Sequence, residues 1–182
     1  VQPVEVTCKD GSVRNVLISA TSVGKKRLVN YSDMTSYWQI QNRLSAHREM
    51  LEMIAKGQSL ASILEKIVFQ VQSESKDSIC SVLLLDEQNK LRSAAAPDLP
   101  EFYTKAIDGL KIGPSVGSCG TASYLKERVI VADISAHEYW RGFEALAARA
   151  NLAACWSDPI LSSSGEVLGT FAIYHPYATY PT

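Results

Sequence analysis

The hydrophobic pattern of this chain changes its period near residue 36, and this change limits the folds that the chain can adopt. Before that point apolar and polar residues alternate, and Asp10-Gly11 is a strong tight-turn signal, which predicts a β-meander over residues 1–35. After it apolar residues recur every three or four positions, which predicts a helix over residues 36–57. Three strands alone bury too little surface to be stable, so we expect the meander to be the end of a larger domain.

The predicted helix carries an apolar seam with the spacing of a heptad repeat. It covers less than three heptads, so an isolated coiled coil of this length would be marginal. The seam either pairs with a second copy or docks on its own domain; we expect a parallel homodimer, because the helix joins two globular parts. A histidine within the seam either sets the register or points to solvent. The seam residues are Tyr37, Ile40, Leu44, His47, Leu51 and Ile54.

From residue 58 onward, amphipathic helices alternate with pairs of strands. Ser135 and Glu138 have the spacing of a capping box, and Asn151 can supply the left-handed stop of the helix that they open. Strands that come in hairpins, with helices inserted between them, indicate an α+β fold with a mostly antiparallel sheet. We predict strands over residues 79–86, 90–97, 128–134, 152–161 and 166–175, and helices over residues 60–71, 99–109 and 138–150.

The stretch "GPSVGSCGTASY" (residues 113–124) could bind a phosphate, activate a thiol or simply turn the chain. It lacks the Gly-Lys-Ser/Thr ending of a phosphate-binding P-loop. Ser118 is a candidate N-cap for a helix through Tyr124, whose free N–H groups would suit a small anion or a carbonyl. Cys119 would then lie in the first turn, where the helix dipole lowers the pKa of a thiol.

The composition excludes several classes of function. A net charge of −1 gives no electrostatic footprint for nucleic acid. No apolar run approaches the roughly 18–20 residues of a membrane helix, and no signal peptide is present, so we expect a cytoplasmic protein without membrane contact. The missing initial Met suggests a fragment. The four cysteines are scattered without metal-ligand spacing, which predicts reduced thiols and no metal site; they are Cys8, Cys80, Cys119 and Cys155.

Four segments together resemble the GAF domain, a small-molecule sensor module: "GSCGTASYLKERVIVADI", the predicted helix after "AHEYW", "ACWSDPI" and "GEVLGTFAIY". The resemblance covers residues 58–175 and implies about six antiparallel strands, with a helical bundle on one face and a ligand pocket on the other. Residues 5–35 resemble the last three strands of a PAS domain and end in Asp33-Met34-Thr35. The domains expected are therefore a PAS-like remnant (1–35), a coiled-coil linker (36–57) and a GAF domain without its C-terminal helix (58–182).

The resemblance implies a pocket covered by residues 113–124 and by the helix over residues 138–150. The ligand stays open, because the cyclic-nucleotide element of the family is absent and neither Cys119 nor Cys155 precedes the His typical of bilin attachment. Haem would need an axial ligand such as His137, so the cofactor is unknown. The candidate ligand-binding residues are Ser115, Ser118, Cys119, Gly120, Thr121, Trp140, Phe143, Trp156 and Asp158.

The function implied is that of a regulatory sensor region in a bacterial signalling protein, without catalysis of its own. It would pass a ligand signal through the dimeric helix to a diguanylate cyclase, a cyclic-di-GMP phosphodiesterase or a histidine kinase. One alternative is an enzyme, since residues 117–122 also resemble a segment of the free methionine-R-sulfoxide reductases. Those enzymes have one further cysteine at the position of Gly109 and another in the stretch that corresponds to residues 139–151. This chain has no cysteine at either place. The other alternative is a dimerising scaffold whose pocket is filled by Trp140 and Trp156.

Overall fold

The computed structural model describes residues 4–75 and 77–181. The chain divides into two compact units, residues 1–56 and residues 57–182, each of which is described by itself. Within the part of the chain that the structure describes, none of the helices combines the length and the apolar character needed to span a bilayer.

The first unit is an antiparallel meander followed by one long helix. Its strands β1 (Val4–Thr7), β2 (Val13–Val23) and β3 (Lys26–Asp33) are paired in the order β1-β2-β3. The helix α1 spans Thr35–Ala55. The predicted meander and the predicted helix are therefore both present, with the change of period at the boundary between β3 and α1.

Asp33 joins the last strand to the helix. Its Oδ1 accepts a hydrogen bond from Thr35 N at 2.9 Å, and its Oδ2 accepts one from Arg14 Nη1 at 2.6 Å. The hydrogen bonds from Thr35, followed by the Arg14 guanidinium, lower the pKa of Asp33 to about 2. The carboxylate thus ties the start of α1 to strand β2.

The heptad seam of α1 lies on the surface of its unit. Tyr37 is 50 % exposed, Leu44 is 57 % exposed and Leu51 is 66 % exposed. His47 is exposed as well. Within the described residues of this unit, the apolar seam side chains are therefore half or more exposed.

The second unit is built on a six-stranded antiparallel sheet. The strand pattern predicted a mostly antiparallel sheet, and the resemblance to the GAF domain implied about six strands. The strand order is β6-β5-β4-β9-β8-β7, so the first and last hairpins meet at the centre of the sheet through β4 and β9. Strand β6 has only two residues and was not predicted. The strands are β4 (Ile79–Leu85), β5 (Lys90–Ala95), β6 (Leu110–Lys111), β7 (Val129–Val131), β8 (Ala154–Leu161) and β9 (Val167–His175).

The two faces of this sheet belong to two separate clusters of buried residues. On one face, helix α2 (Leu60–Glu74) packs through Leu64 and Val68 against Cys80 and Val82. On the other face lie the shorter helices that connect the strands. They are α3 (Glu101–Ile107), α4 (Gly117–Leu125), a 3₁₀ turn (Glu138–Trp140) and α5 (Glu144–Arg149).

The prediction of a single helix over residues 138–150 is wrong, because the structure has two short helical segments there. Gly142 has φ +90°, a conformation that no α-helix contains, and it separates the 3₁₀ turn from α5. The predicted capping box does not form either, since Ser135 donates to Asp133 Oδ1 from both its N and its Oγ. The predicted stop at Asn151 is confirmed by its φ of 57°.

Candidate functional site

A small apolar cavity lies between the sheet and the helices on its second face. Its volume is about 30 Å³, room for one or two molecules the size of water. The walls come from β4, β5 and β9, from α3, from the first turn of α4, and from the cover formed by the 3₁₀ turn and α5. The lining residues are Leu83, Leu91, Tyr103, Ile107, Leu110, Val116, Gly117, Ser118, Cys119, Gly120, Trp140, Phe143, Leu146 and Tyr174.

The first turn of α4 forms the polar part of the wall. The first α-helical hydrogen bond of α4 runs from Gly120 N to Val116 O at 3.1 Å. The N–H groups of Gly117, Ser118 and Cys119 come before it and therefore have no carbonyl partner within the helix. Thr121 Oγ1 accepts from Val116 N at 3.2 Å and holds the entry to the helix in place. A Cβ on Gly120 would come within 2.7 Å of Val116 Cβ, so only glycine fits this turn.

Ser118 connects three elements of the site. Its hydroxyl donates to Cys155 O at 3.1 Å and accepts from Trp140 Nε1 at 3.0 Å. The predicted N-cap role of Ser118 is wrong, because Val116 occupies that position and Ser118 lies inside the helix, 1 % exposed. Its hydroxyl instead holds the cover residue Trp140 against α4 and β8.

Cys119 points from α4 toward the sheet. Its Sγ lies 3.8 Å from the hydroxyl oxygen of Tyr174, and the thiol of Cys155 lies near enough to affect its pKa. Hydrogen bonds, above all from Cys155, lower the pKa of Cys119 to about 7. Burial raises the pKa of Cys155, and it also raises the pKa of Tyr174. Cys119 is therefore the group of this cluster that ionises first.

The structure brings some of the predicted site residues to the cavity and leaves others outside it. Ser118, Cys119 and Gly120 line it, together with Trp140 and Phe143 of the cover. Thr121 is buried behind the first turn of α4, and Ser115 is exposed on the loop.

Trp156 and Asp158 do not line the cavity, contrary to expectation. Trp156 is paired with Ile173 and points to the α2 face, where its ring lies 4.5 Å from that of His175. Asp158 follows on the same face and pairs with Arg128 at 2.6 Å. Alternate residues of a strand point to opposite faces, so Cys155 and Ser157 face the cavity side instead. Because Trp156 lies on that other face, it cannot fill the pocket together with Trp140.

Other wall residues were missed by the sequence reasoning. Tyr174 and Leu83 belong to the same face as Cys155, and the register of β4, β8 and β9 would have placed them there. Tyr103 and Ile107 follow the helical period of α3. His137, the conceivable haem ligand, is not among the lining residues; its Nδ1 accepts from Tyr139 N at 3.3 Å. Residues 4–75 and 77–181 contain no cluster of three metal-ligating side chains.

A sequence profile of the GAF domain matches residues 57–181, and the chain therefore belongs to the GAF domain family. The chain is also 37 % identical over 143 residues to the methyl sulfide methyltransferase-associated sensor of Methanosarcina acetivorans. That match includes 78 % of this chain and only 14 % of the relative, so the chain spans a small part of the length of that protein.

Solved structures share the fold at low sequence identity. One is the GAF domain of a phosphoenolpyruvate-protein phosphotransferase from Coxiella burnetii, with a TM-score of 0.59, 19 % identity, and coverage of 78 % of this chain and 82 % of that chain. Another is a free methionine-R-sulfoxide reductase from Neisseria meningitidis in complex with its substrate, with a TM-score of 0.55, 17 % identity, and coverage of 74 % of each chain. At these identities the likeness describes the fold alone.

Proposed function

We propose that this chain is the sensory region of a longer signalling protein and that its GAF unit binds a small ligand in the cavity beneath Trp140. The observation that carries the proposal is the composition of the cavity wall, in which the N–H groups at the first turn of α4 adjoin an otherwise apolar lining. Such a wall suits a small molecule with an apolar body and one carbonyl or carboxylate group.

Ligand binding would require the cover to move. The cavity of about 30 Å³ is far below the roughly 300 Å³ at which ordinary ligand sites begin. The cover is the part free to give way, because it is a 3₁₀ turn and a six-residue helix separated by Gly142. Displacement of Trp140 would break its hydrogen bond to Ser118, so occupancy would be coupled to the position of α4.

The signal would leave through helix α1. We propose that its exposed seam pairs with that of a second copy, and that residues 1–35 are the last strands of a PAS domain. Effectors that act as dimers, such as a diguanylate cyclase, a cyclic-di-GMP phosphodiesterase or a histidine kinase, would respond to a change in this pair. A ligand can shift the pair only if it binds two arrangements with different affinity.

The test of ligand binding has two parts. The chain is purified without denaturation and examined by native mass spectrometry for a bound small molecule, and a metabolite collection is screened for compounds that raise its unfolding temperature. Leu146→Trp, which would fill the cavity, should weaken binding of any hit by at least about tenfold, a loss of about 1.4 kcal/mol. The matched control is Leu161→Trp at an exposed position outside the cavity. If no molecule binds, a dimerising scaffold that needs no ligand is favoured, without the Trp156 filling that the sequence predicted.

A second candidate function is sulfoxide reduction, and it rests on the position of Cys119 at the cavity wall. Its lowered pKa gives it the thiolate character that a nucleophile needs. The chain lacks the further cysteines of that enzyme family at Gly109 and over residues 139–151. A thioredoxin-coupled assay with free methionine-R-sulfoxide tests it: turnover abolished by Cys119→Ser would favour the enzyme over the sensor.

A further inference from the structure

Two cysteines meet where α4 packs on the sheet. Cys119 lies in the first turn of α4, and Cys155 lies on β8 beside Tyr174 of β9. Both are free thiols and both are buried: Cys155 is 0 % exposed and Cys119 is 9 % exposed. Ser118, the neighbour of Cys119 in α4, donates to Cys155 O at 3.1 Å, so this part of α4 packs directly on Cys155, and each thiol lies near enough to affect the pKa of the other.

The surroundings of Cys119 favour a negative charge on its sulfur. The hydroxyls of Ser157 and Thr170 lie close enough to lower its pKa, as does that of Tyr174. Ser157 and Thr170 are each fully buried, and their hydroxyls have no hydrogen-bond partner within the described residues. Two buried hydroxyls without an acceptor destabilise the folded chain, and a thiolate at Cys119 would supply that acceptor.

The two thiols have different roles because their surroundings differ. Hydrogen bonds from Cys155 and the neighbouring hydroxyls lower the pKa of Cys119, whereas burial raises that of Cys155. A thiolate attacks an electrophile, and a neutral thiol next to it resolves the product. Cys119 therefore fits the attacking position and Cys155 the resolving position.

The cavity limits which oxidant can reach this pair. Cys119 lines it, and its volume of about 30 Å³ accepts a molecule little larger than water. Hydrogen peroxide has this size, whereas organic hydroperoxides and disulfides such as oxidised glutathione do not fit unless the cover opens. Among the cysteines of the described residues, Cys119 lines the cavity and Cys155 does not, so an oxidant that enters meets Cys119 first.

We propose that Cys119 and Cys155 form a dithiol that hydrogen peroxide oxidises to a disulfide between α4 and β8. The Cys119 thiolate attacks one peroxide oxygen, the O–O bond breaks, and the departing hydroxide takes up a proton as water. The Cys119 sulfenic acid is then attacked by the Cys155 sulfur, the S–O bond breaks, and the second oxygen leaves as water with the Cys155 proton. Two thiols lose two electrons and one peroxide becomes two waters.

The other cysteines provide internal controls. Cys80 lies on the α2 face of the same sheet, and burial raises its pKa to about 12. The difference in thiolate fraction, partly offset by the higher intrinsic nucleophilicity of the less acidic thiol, predicts oxidation of Cys119 on the order of a hundredfold faster than that of Cys80 at pH 7. Cys8 belongs to the other unit and reports on oxidation of a thiol outside the cavity.

The experiment treats the full 182-residue chain with hydrogen peroxide, blocks the remaining thiols by alkylation, and maps the products by proteolysis without reductant and mass spectrometry. We expect one cross-linked peptide pair joining Cys119 to Cys155, which reductant separates. In the Cys155→Ser variant, oxidation of Cys119 should stop at the sulfenic acid, which dimedone would trap. Cys80→Ser should leave the cross-link unchanged.

The wild-type map decides the matter even if a variant fails to fold. Oxidation of Cys8 or Cys80 at the rate of Cys119 would overturn the proposal, as would a cross-link between any other pair or a dimedone adduct that persists in the wild type. The proposal does not depend on sulfoxide turnover, because its oxidant is peroxide. Absence of turnover with an intact Cys119–Cys155 cross-link would reject the reductase and keep the dithiol.

Discussion

At the scale of single residues, the Ser118 hydroxyl connects the cover to the sheet. It is the acceptor for Trp140 Nε1 and the donor to Cys155 O, and both partners are buried. Ser118→Ala would leave a buried indole N–H without an acceptor, so we expect a loss of about 1–3 kcal/mol in the free energy of unfolding. Urea denaturation measures it. Ser115→Ala, at an exposed position in the same loop, should stay within about 0.5 kcal/mol of the wild type.

His175 should make the stability of the GAF unit depend on pH. Burial lowers its pKa from 6.5, only partly opposed by the charge of Asp77, and neither ring nitrogen has a partner within the described residues. The unfolded chain therefore binds the proton more tightly, so stability is complete above about pH 6.5 and falls as the pH drops below that value. His175→Phe keeps the ring between Trp156 and Tyr177 without titrating, and should flatten the profile between pH 7 and pH 5. An equally steep profile in this variant would assign the effect to another group.

At the scale of elements, Arg149 of α5 holds the cover against α3. Its guanidinium lies 4.0 Å from the centre of the Phe102 ring, a cation–π contact worth about 0.5–1 kcal/mol at an exposed site. Arg149→Ala should therefore open the cover about two to five times more often and speed the alkylation of Cys119 by the same factor. Lys105→Ala is the control, because it removes an exposed charge from α3 that pairs with Glu101 of the same helix. Equal rates in both variants would show that the cover does not control access.

Elements with a regular hydrophobic period were predicted well, and the exceptions have local causes. β4 follows from a strongly apolar run, β5, β8 and β9 follow from apolar segments separated by turn residues, and α2 follows from a period of 3.6. The helix over residues 138–150 was overestimated because its apolar spacing continues through Gly142, whose positive φ breaks it. β6 is too short to show any period.

The candidate site was harder to predict than the fold because it depends on phase and register. Trp156 and Asp158 were assigned to the cavity, yet the phase of β8 turns Cys155 and Ser157 to that side. Cys119 and Cys155 are far apart in sequence, and the packing of α4 on β8, seen in the hydrogen bond from Ser118 to Cys155 O, brings them near each other. Both cysteines could be found in the sequence, but their pairing could not.

At the scale of the whole molecule, the seam of α1 is the surface from which we expect a dimer. Each aliphatic side chain buried between two helices contributes roughly 1.5–3 kcal/mol, while association costs at least about 4 kcal/mol at the 1 M standard state. Ile40, Leu44, Leu51 and Ile54 are 57 %, 57 %, 66 % and 59 % exposed, so more than half of this area is still available for burial. A seam this short should give a weak dimer, whose population depends on protein concentration.

Sedimentation of the chain over a range of concentrations tests this dimer. Leu44→Asp with Leu51→Asp places charges on the seam of both helices, and like charges that face each other across an apolar contact should leave monomers. The control is Gln39→Asp with Asn42→Asp, which adds the same charge at exposed positions of α1 outside the seam and should preserve the dimer. A wild-type chain that is monomeric at high micromolar concentration would show that the seam is no dimer interface in this chain. Dissociation by both variants alike would assign the effect to net charge rather than to the seam.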